Sequence, residues 1–414
     1  MEKLQGKKPQ VRFPEFKDVW EHKQLSELLS EAKKRNGDLK YDKDQVLSVS
    51  GELGIVNQIE HLGRSYAGVS VHQYHVVEIG DIVYTKSPLK ANPYGIIKLN
   101  KRKAGIVSTL YAVYTVNKKS ACGEFVEHYF SLDANTNRYL RPLVKKGAKN
   151  DMKISNAYVL HDRIFVPSVT EQKRIASFLT VLDKKIVELR QKKNLLEQYK
   201  KGVLQKIFNQ ELRFKDGKGK DFPKWEKKEL REIFSIFNGY AFASDDSKTD
   251  GVLWVKIADV GIQEMKKDNL SYLPKDYLAN HKKFILKKGD YVIALTRPIL
   301  SGKLKISQVD DFFNNSLLNQ RVGKIISEND TTFVYYMLQL SWLIKAIENN
   351  IAGTDPPNLS PKEIDFIQIN IPQKKEQTKI ATFLRILDAK INHCQKQTEK
   401  TEQYKKGLLQ KMFI

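Results

Sequence analysis

The sequence predicts a mixed α/β fold: two α/β domains separated by two long helices, the helices pairing as an antiparallel coiled coil in a pseudo-twofold, circular arrangement. Three observations predict it. Residues 167–208 recur as residues 372–413; adding 205 maps one copy onto the other without a gap, and 21 of the 42 pairs are identical. The stretches before each copy carry short β-branched runs separated by turn residues, and they differ from each other in detail. Finally, the segment after the first copy (Arg213-Phe214, then Phe222-Pro223, Trp225-Glu226) matches the start of the chain (Arg12-Phe13-Pro14, Phe16, then Trp20-Glu21), as if one repeat unit had been circularly permuted. The elements are therefore an α/β domain at 1–166, a helix at 167–212, a second α/β domain at 213–371 and a second helix at 372–414.

Both copies have helical periodicity. Ile175, Leu179, Leu182, Ile186, Leu189 and Leu196 fall at alternating steps of four and three, and Ile380, Leu384, Leu387, Ile391 and Cys394 occupy the same seam in the second copy. Pro167 with Ser168 and Glu171 spells a capped start; Pro372 is followed by Gln373 and Lys374, a weaker signal. A helix of about 40 residues is about 60 Å long, which suits a spacer. Alone it would leave its apolar seam in water, and the simplest partner for each copy is the other. Two units related by an approximate twofold axis, with antiparallel helices, bring the two ends of the chain together. Lys193 and Thr398 make the middle of the seam polar, which suits register specification. Cys394 reads as a small apolar seam residue.

In the first α/β domain the strand-like runs are 46–49, 76–84, 105–116 and 164–166, separated by turns such as Asn36-Gly37, Gly80-Asp81 and Asn92-Pro93. In the second they are 252–257, 284–295 and 321–326, with a helical pattern at 332–347. One frame is shared: Gly80-Asp81, a strand, then Lys86-Ser87-Pro88, against Gly289-Asp290, a strand, then Arg297-Pro298. The loops are not shared, as Gly63-Arg64-Ser65-Tyr66 and Asn238-Gly239-Tyr240-Ala241-Phe242 illustrate. Similar frames with dissimilar loops suggest two reading heads, each reading something different.

Lys and Arg number 71 against 48 Asp and Glu, a formal charge of +23, which favours a polyanionic partner. No apolar run approaches 18 residues and no lipidation signal is present, so the membrane is the weaker of the anionic surfaces. The first ten residues lack the apolar core of a signal peptide, and the expectation is a cytoplasmic protein. Two cysteines, Cys122 and Cys394, are too few for a disulfide framework or a zinc cluster.

The repeated residues carry a resemblance. Glu171-Gln172, Ile175-Ala176, Phe178-Leu179 and Leu182-Asp183, their second copy from Glu376, and the Tyr-Lys-Lys-Gly-x-Leu-Gln-Lys runs at 199–206 and 404–411 resemble the conserved helical regions of the specificity subunit of type I restriction-modification enzymes. The resemblance extends over the whole chain as target-recognition domain, helix, second target-recognition domain and second helix. It implies a DNA-reading subunit without catalysis of its own. Each recognition domain would read one half of a bipartite, asymmetric target in double-stranded DNA. The helices would set the distance between halves and dock two modification subunits that methylate adenine, and restriction subunits would add translocation and cleavage. S-adenosylmethionine, ATP and magnesium would then belong to those partners, with no cofactor in this chain.

Readings that give the chain its own chemistry fare worse. Thr354-Asp355-Pro356-Pro357-Asn358 approaches the Asp-Pro-Pro-aromatic loop of amino-methyltransferases, but Asn358 stands where the aromatic belongs and no glycine-rich cofactor loop follows a strand in that domain. Residues 353–360 read instead as the loop entering the last strand, matched loosely by residues 147–155. Asp216 with Glu226-Lys227-Lys228, or Asp18 with Glu31-Ala32-Lys33, can be spelled as a nuclease site, but such spacings arise by chance in so charged a chain. His72 and His75, three apart, face opposite sides of a strand and lack further ligands for a metal.

The DNA-binding candidates are loop residues with planar or forked donors: Arg64, Tyr66, Lys86 and Arg102 in the first domain, and Tyr240, Arg297, Asn315 and Arg321 in the second. Arg and Asn address base edges bidentately, whereas most lysines neutralise phosphate or sit on a solvated face. Gly202 and Gly407 interrupt helical sequence at a cost of about 1 kcal/mol each relative to alanine. Either the helix ends there or another backbone approaches closely; with Tyr199 and Tyr404 beside them, they are candidates for docking the modification subunits. The competing class is a two-headed nucleic-acid-binding adaptor without a methyltransferase partner, which genes for a methyltransferase and a helicase-nuclease next to this one would exclude.

Overall fold

The computed structural model describes residues 7–68, 70–88, 92–146, 152–351 and 356–414. The chain divides into two compact units, one made of the residues up to Gln191 together with Gln395–Ile414, the other of Lys192–Cys394. Four helices organise them: α1 (Gly123–Ser131), α2 (Val169–Phe208), α3 (Thr331–Met337) and α4 (Lys374–Met412). The repeated segments α2 and α4 are continuous helices, and each contributes a part to both units. Their apolar seams are covered by the sheet and shorter helix of a unit as well as by each other.

The first unit is built on a sheet of β1 (Leu29–Glu31), β2 (Ile82–Thr85), β3 (Ile96–Leu99) and β4 (Tyr111–Val116), antiparallel in the order β1-β4-β2-β3. The turn before β2 has Gly80 at φ 94°, and the Asp81 carboxylate accepts from the Glu78 amide at 2.8 Å and the Thr115 hydroxyl at 3.0 Å. One face of the sheet buries Ile82, Tyr84 and Ile97 against Phe125 of α1, Ile175 and Leu179 of α2, and Leu409, Met412 and Phe413 at the end of the chain. That end belongs to this unit: the Val11 amide donates to Lys411 O at 3.0 Å, and the Phe413 ring lies 5.2 Å from Phe125 and 6.4 Å from Trp20.

The second unit repeats the plan. β5 (Ser235–Asn238), β6 (Tyr291–Ala294), β7 (Ile306–Gln308) and β8 (Val322–Ile326) form an antiparallel sheet in the order β5-β8-β6-β7, the same topology. Gly289 again has a positive φ, 95°, and Asp290 again closes the turn, accepting from the Lys287 amide at 2.8 Å. Tyr291, Ile293 and Ile306 pack with Phe333 and Val334 of α3, Val203 and Ile207 of α2, and Ile380 and Leu384 of α4.

The repeated Glu-Gln pair explains why two positions are identical in both helices. Glu171, 1 % exposed, accepts a two-pronged bond from Arg12 (both contacts 2.7 Å) and the Trp20 indole N–H at 3.3 Å. Glu376, fully buried, does the same for Arg213 (3.2 and 2.7 Å) and Trp225 (3.3 Å). The following phenylalanines lie edge-on to helix rings, Phe13 on Phe178 and Phe214 on Phe383. The next residue fastens the helix start to the domain: Gln172 takes the Cys122 amide and donates to Ser120 O, and Gln377 takes the Asp330 amide and donates to Asn329 Oδ1. The capping box read at Ser168 is therefore one-sided. Ser168 Oγ is 3.4 Å from the Glu171 amide, while the Glu171 carboxylate is engaged by Arg12 and Trp20.

Within each unit the two helix segments run antiparallel. In the first, Lys405 pairs with Asp183, and Arg190 with Glu402 at 2.6 Å. In the second, Lys200 pairs with Asp388 at 2.6 Å, and the Tyr336 hydroxyl donates to the same carboxylate at 2.6 Å. His128 of α1 stands in the frame where α3 has Tyr336, since Phe125-Val126 matches Phe333-Val334. Buried beside Thr180, with Lys405, Lys101 and Lys98 near, it has its pKa pushed down to about 3, chiefly by desolvation.

Several runs are shorter than the sequence suggests. Residues 76–84 divide at the Gly80 turn into His75–Val77 and Ile82–Thr85, and 105–116 into Gly105–Val107 and Tyr111–Val116. In 284–295 only Tyr291–Ala294 is strand, because a 3-10 turn (Lys282–Phe284) ends inside the run and the Lys287–Asp290 turn at Gly289 follows it. The helical pattern at 332–347 breaks into Thr331–Met337 and Ser341–Asn350. No glycine or proline marks that break; it lets both Leu338 and Leu340 enter the core.

Candidate nucleic-acid interface

Sheet register decides which loops come together. In the second unit Asn238 pairs with Gly323, Ala294 with Val322 and Ile293 with Ile306, so the end of β5, the start of β8, the end of β6 and the start of β7 share one end of the sheet. Tyr240, Arg321 and Arg297 emerge there, and all three are exposed. Tyr240 is fastened by its amide to Leu318 O at 2.9 Å, and its ring rests 4.5 Å from His281 and 5.3 Å from Phe284. Gly239 has no alternative, because a Cβ would fall 2.2 Å from Leu318 O. Arg297 is held at φ 48°, a left-handed conformation that a non-glycine residue adopts at a cost. Its amide donates to Pro357 O at 2.8 Å, and Thr296 bridges to Asn358 at 2.7 Å. Those two residues belong to the described end, Pro356 to Asn358, of the Asp-Pro-Pro-Asn run, which here braces Arg297; Thr354 and Asp355, with the rest of 352–355, lie outside the described residues. Asn315 is elsewhere. Its amide donates to Leu286 O and its side chain accepts from Lys287 at 2.7 Å, next to the Gly289-Asp290 turn at the other end of the sheet.

The first unit has the corresponding end. Thr85 pairs with Ile96 and with Tyr111, so Lys86 leaves β2 where Arg297 leaves β6. Arg102 follows Asn100 beside the Gly80-Asp81 turn, at the end that holds Asn315 in the second unit. Arg64 stacks on Tyr66 with its guanidinium carbon 4.6 Å from the ring centre, and both are exposed. That loop follows the helix Gln58–Leu62, whose Glu60 reaches Lys103 at 3.5 Å, so it belongs with Arg102 rather than Lys86. Residues 147–151 of the loop matched to 353–360 lie outside the described residues.

The sequence reading missed Arg35. The chain leaves β1 and forms an antiparallel bridge between Arg35 and His75, the first residue of the strand His75–Val77. Arg35 Nη1 donates to Gln73 O at 3.0 Å and meets His75 Nε2 at 2.8 Å. His75 is 2 % exposed, and burial together with the positive charges of Arg35 and Lys86 lowers its pKa to about 4. It is a neutral core histidine. The only hint in the sequence is the Asn36-Gly37 turn beside Arg35.

At the docking candidates, Tyr199 and Tyr404 are 54 % and 57 % exposed. Neither explanation offered for the glycines holds within the chain: α2 and α4 run through Gly202 and Gly407, and a Cβ at either would meet no atom within 4 Å among the described residues. The nuclease-like spelling at Asp216 also resolves into local structure. The Asp216 carboxylate closes a turn by accepting the Lys218 and Lys220 amides, both at 2.8 Å, and Glu226 pairs with Lys228. Among the described residues no helix is long and apolar enough to cross a membrane.

Residues 223–402 match the family model of the type I restriction modification DNA specificity domain. The chain is 32 % identical over 255 residues to the specificity subunit of the type I restriction enzyme MjaVIII of Methanocaldococcus jannaschii, a stretch spanning 60 % of each chain. The EcoAI specificity subunit of Escherichia coli is 27 % identical over 175 residues, 42 % of this chain and 29 % of that one. The matched stretches thus span less than two thirds of these relatives. In fold, the crystal structure of the S subunit of a type I system from M. genitalium superposes with a TM-score of 0.62 at 14 % identity, covering 99 % of both chains. That likeness is one of architecture, and it extends over both units, including the one that precedes the matched specificity domain.

Proposed function

We propose that this chain is the DNA-reading subunit of a type I restriction-modification complex, each unit reading one half of a bipartite, asymmetric target in double-stranded DNA. The observation that carries the reading is the repeated sheet with unlike loops at the same end: Tyr240, Arg297 and Arg321 in one unit, Lys86 in the other. A common frame positions the donors; different side chains give each head its own specificity. The net charge of +23 supplies the attraction to phosphate. Two modification subunits dock on the helices, with Tyr199, Gly202, Tyr404 and Gly407 in the contact, and methylate adenine. Restriction subunits join the same complex. S-adenosylmethionine, ATP and magnesium bind to those partners, and this chain contributes recognition and spacing.

Mapping methylated adenine across the genome with and without this gene, in cells that keep the modification subunit, tests the reading. A split motif should lose methylation when the gene is deleted and regain it on complementation. Replacing residues 215–365 by those of a relative should change one half of the motif only. An unchanged methylome after deletion would refute the proposal.

A further inference from the structure

We infer that Arg35 is a DNA-contacting residue of the first unit, and that buried His75 is the positioning residue that holds its guanidinium; the inference rests on the DNA-reading function proposed above. Three observations lead to it. Arg35 lies beyond β1 as Tyr240 lies beyond β5, in two sheets of identical strand order, so it occupies the loop position at which the second unit presents an exposed aromatic.

The second is the hydrogen bonding. A guanidinium only donates, so His75 Nε2 must accept, which leaves the imidazole proton on Nδ1. Nδ1 is buried without a partner among the described residues. A buried donor left unpaired is costly, and apolar packing alone would be served better by a phenylalanine. The histidine is accounted for by what it does to Arg35. One nitrogen, Nη1, is pinned by His75 and Gln73 O, while Nε and Nη2 have no partner among the described residues.

The third is the electrostatic setting. Lys86 lies close enough to act on His75, and Glu31, the nearby acid, is engaged by the Asn156 amide at 2.8 Å. Lys34 is paired with Glu78 at 3.4 Å. Arg35 is thus an exposed, pre-oriented fork beside a second cation, suited to a pair of acceptors on duplex DNA. Guanine O6 and N7 present such a pair, and so do two phosphate oxygens.

The test uses the assembled modification complex in cells, with Arg35→Lys, Arg35→Ala and His75→Phe, and methylome mapping as the readout. If the acceptor is guanine, Arg35→Lys relaxes one position in a single half-site by roughly five- to a hundred-fold, with the other half unchanged. If it is phosphate, both Arg35 variants keep the motif, but Arg35→Ala binds the duplex more weakly with a shallower salt dependence. His75→Phe preserves the packing and should reproduce part of the Arg35 loss with no fall in thermal stability. Unchanged motif, affinity and salt dependence in all three variants would overturn the DNA contact. A wild-type effect for His75→Phe beside a clear Arg35 defect would overturn the positioning role. A wild-type complex that methylates no motif would overturn the underlying function, an outcome separate from either.

Discussion

The buried carboxylate of Glu376 should be worth far more to the second unit than a surface ion pair, and a double-mutant cycle with Arg213 measures it. Glu376→Gln keeps the shape and removes the charge. Arg213, whose side chain is 25 % exposed, would retain its bonds to Phe222 O at 3.3 Å and Pro223 O at 2.8 Å. Breaking a buried pair typically costs about 3–5 kcal/mol, and the remaining solvation of Arg213 places this change near the lower end, about 3 kcal/mol. Arg213→Met is worse, because it strands a fully buried carboxylate with only the Trp225 N–H at 3.3 Å; about 4–5 kcal/mol is expected. The double variant Arg213→Met with Glu376→Gln should cost less than the sum, with a coupling of about 2–3 kcal/mol. Urea unfolding followed by tryptophan fluorescence gives the totals, and hydrogen exchange of residues 213–225 localises the loss to the second unit. The clamp argument fails if Glu376→Gln costs under about 1 kcal/mol, or if the two single changes simply add.

The first unit should be acid-sensitive. His75 and His128 have folded pKa values of about 4 and about 3, below the ordinary 6.5, so the unfolded chain binds more protons and stability falls as pH drops from 6.5 towards those values. At pH 5 each contributes a loss of about 2 kcal/mol relative to pH 7.5, and His128→Phe should remove its share, as read by hydrogen exchange of α1 at the two pH values. Gly202→Ala and Gly407→Ala find open space, so each should stabilise its helix by about 1 kcal/mol in thermal melts while weakening co-purification of the modification subunit. Inserting four residues after Leu196 and four after Thr401, a little over one turn in each helix, should lengthen both by about 6 Å. The unread gap in the methylated motif should then widen by one or two base pairs, and a functional complex with an unaltered gap would show that the helices are not the ruler.

The parts of the fold legible in the sequence were those written in local or repeated code. A gapless repeat, a seam of steps four and three, and the Gly-Asp turns before Ile82 and Tyr291 were enough to give the helices, the mixed α/β class and a central strand of each sheet. What escaped notice depends on partners far apart in the chain. Glu171 looked like a capping residue because its neighbour Ser168 is three residues away, whereas Arg12 and Trp20 are more than 150 residues away. Of the site, Tyr240, Arg297 and Arg321 were found as exposed loop residues, but only strand register could show that they share an end and that Asn315 does not. In sequence His75 suggests at most a metal ligand; its service to Arg35 spans 40 residues and leaves no periodic trace.

The closing of the first unit by Gln395–Ile414 has a consequence for biosynthesis. Residues 192–394, the second unit, are contiguous and have all emerged once position 394 clears the ribosome. The first unit, although translated first, lacks Leu409, Met412 and Phe413 until residues 395–414 have emerged. Its Trp20 and Phe125 faces therefore wait, uncovered, while the whole second unit is made, a delay of about ten seconds or more at bacterial elongation rates of about 5–20 residues per second. During that interval the nascent chain exposes an apolar face that another nascent copy's carboxyl-terminal segment also fits. Crowded polysomes would then favour exchange of that segment between copies, and slow synthesis or a chaperone would favour closure of each chain on itself.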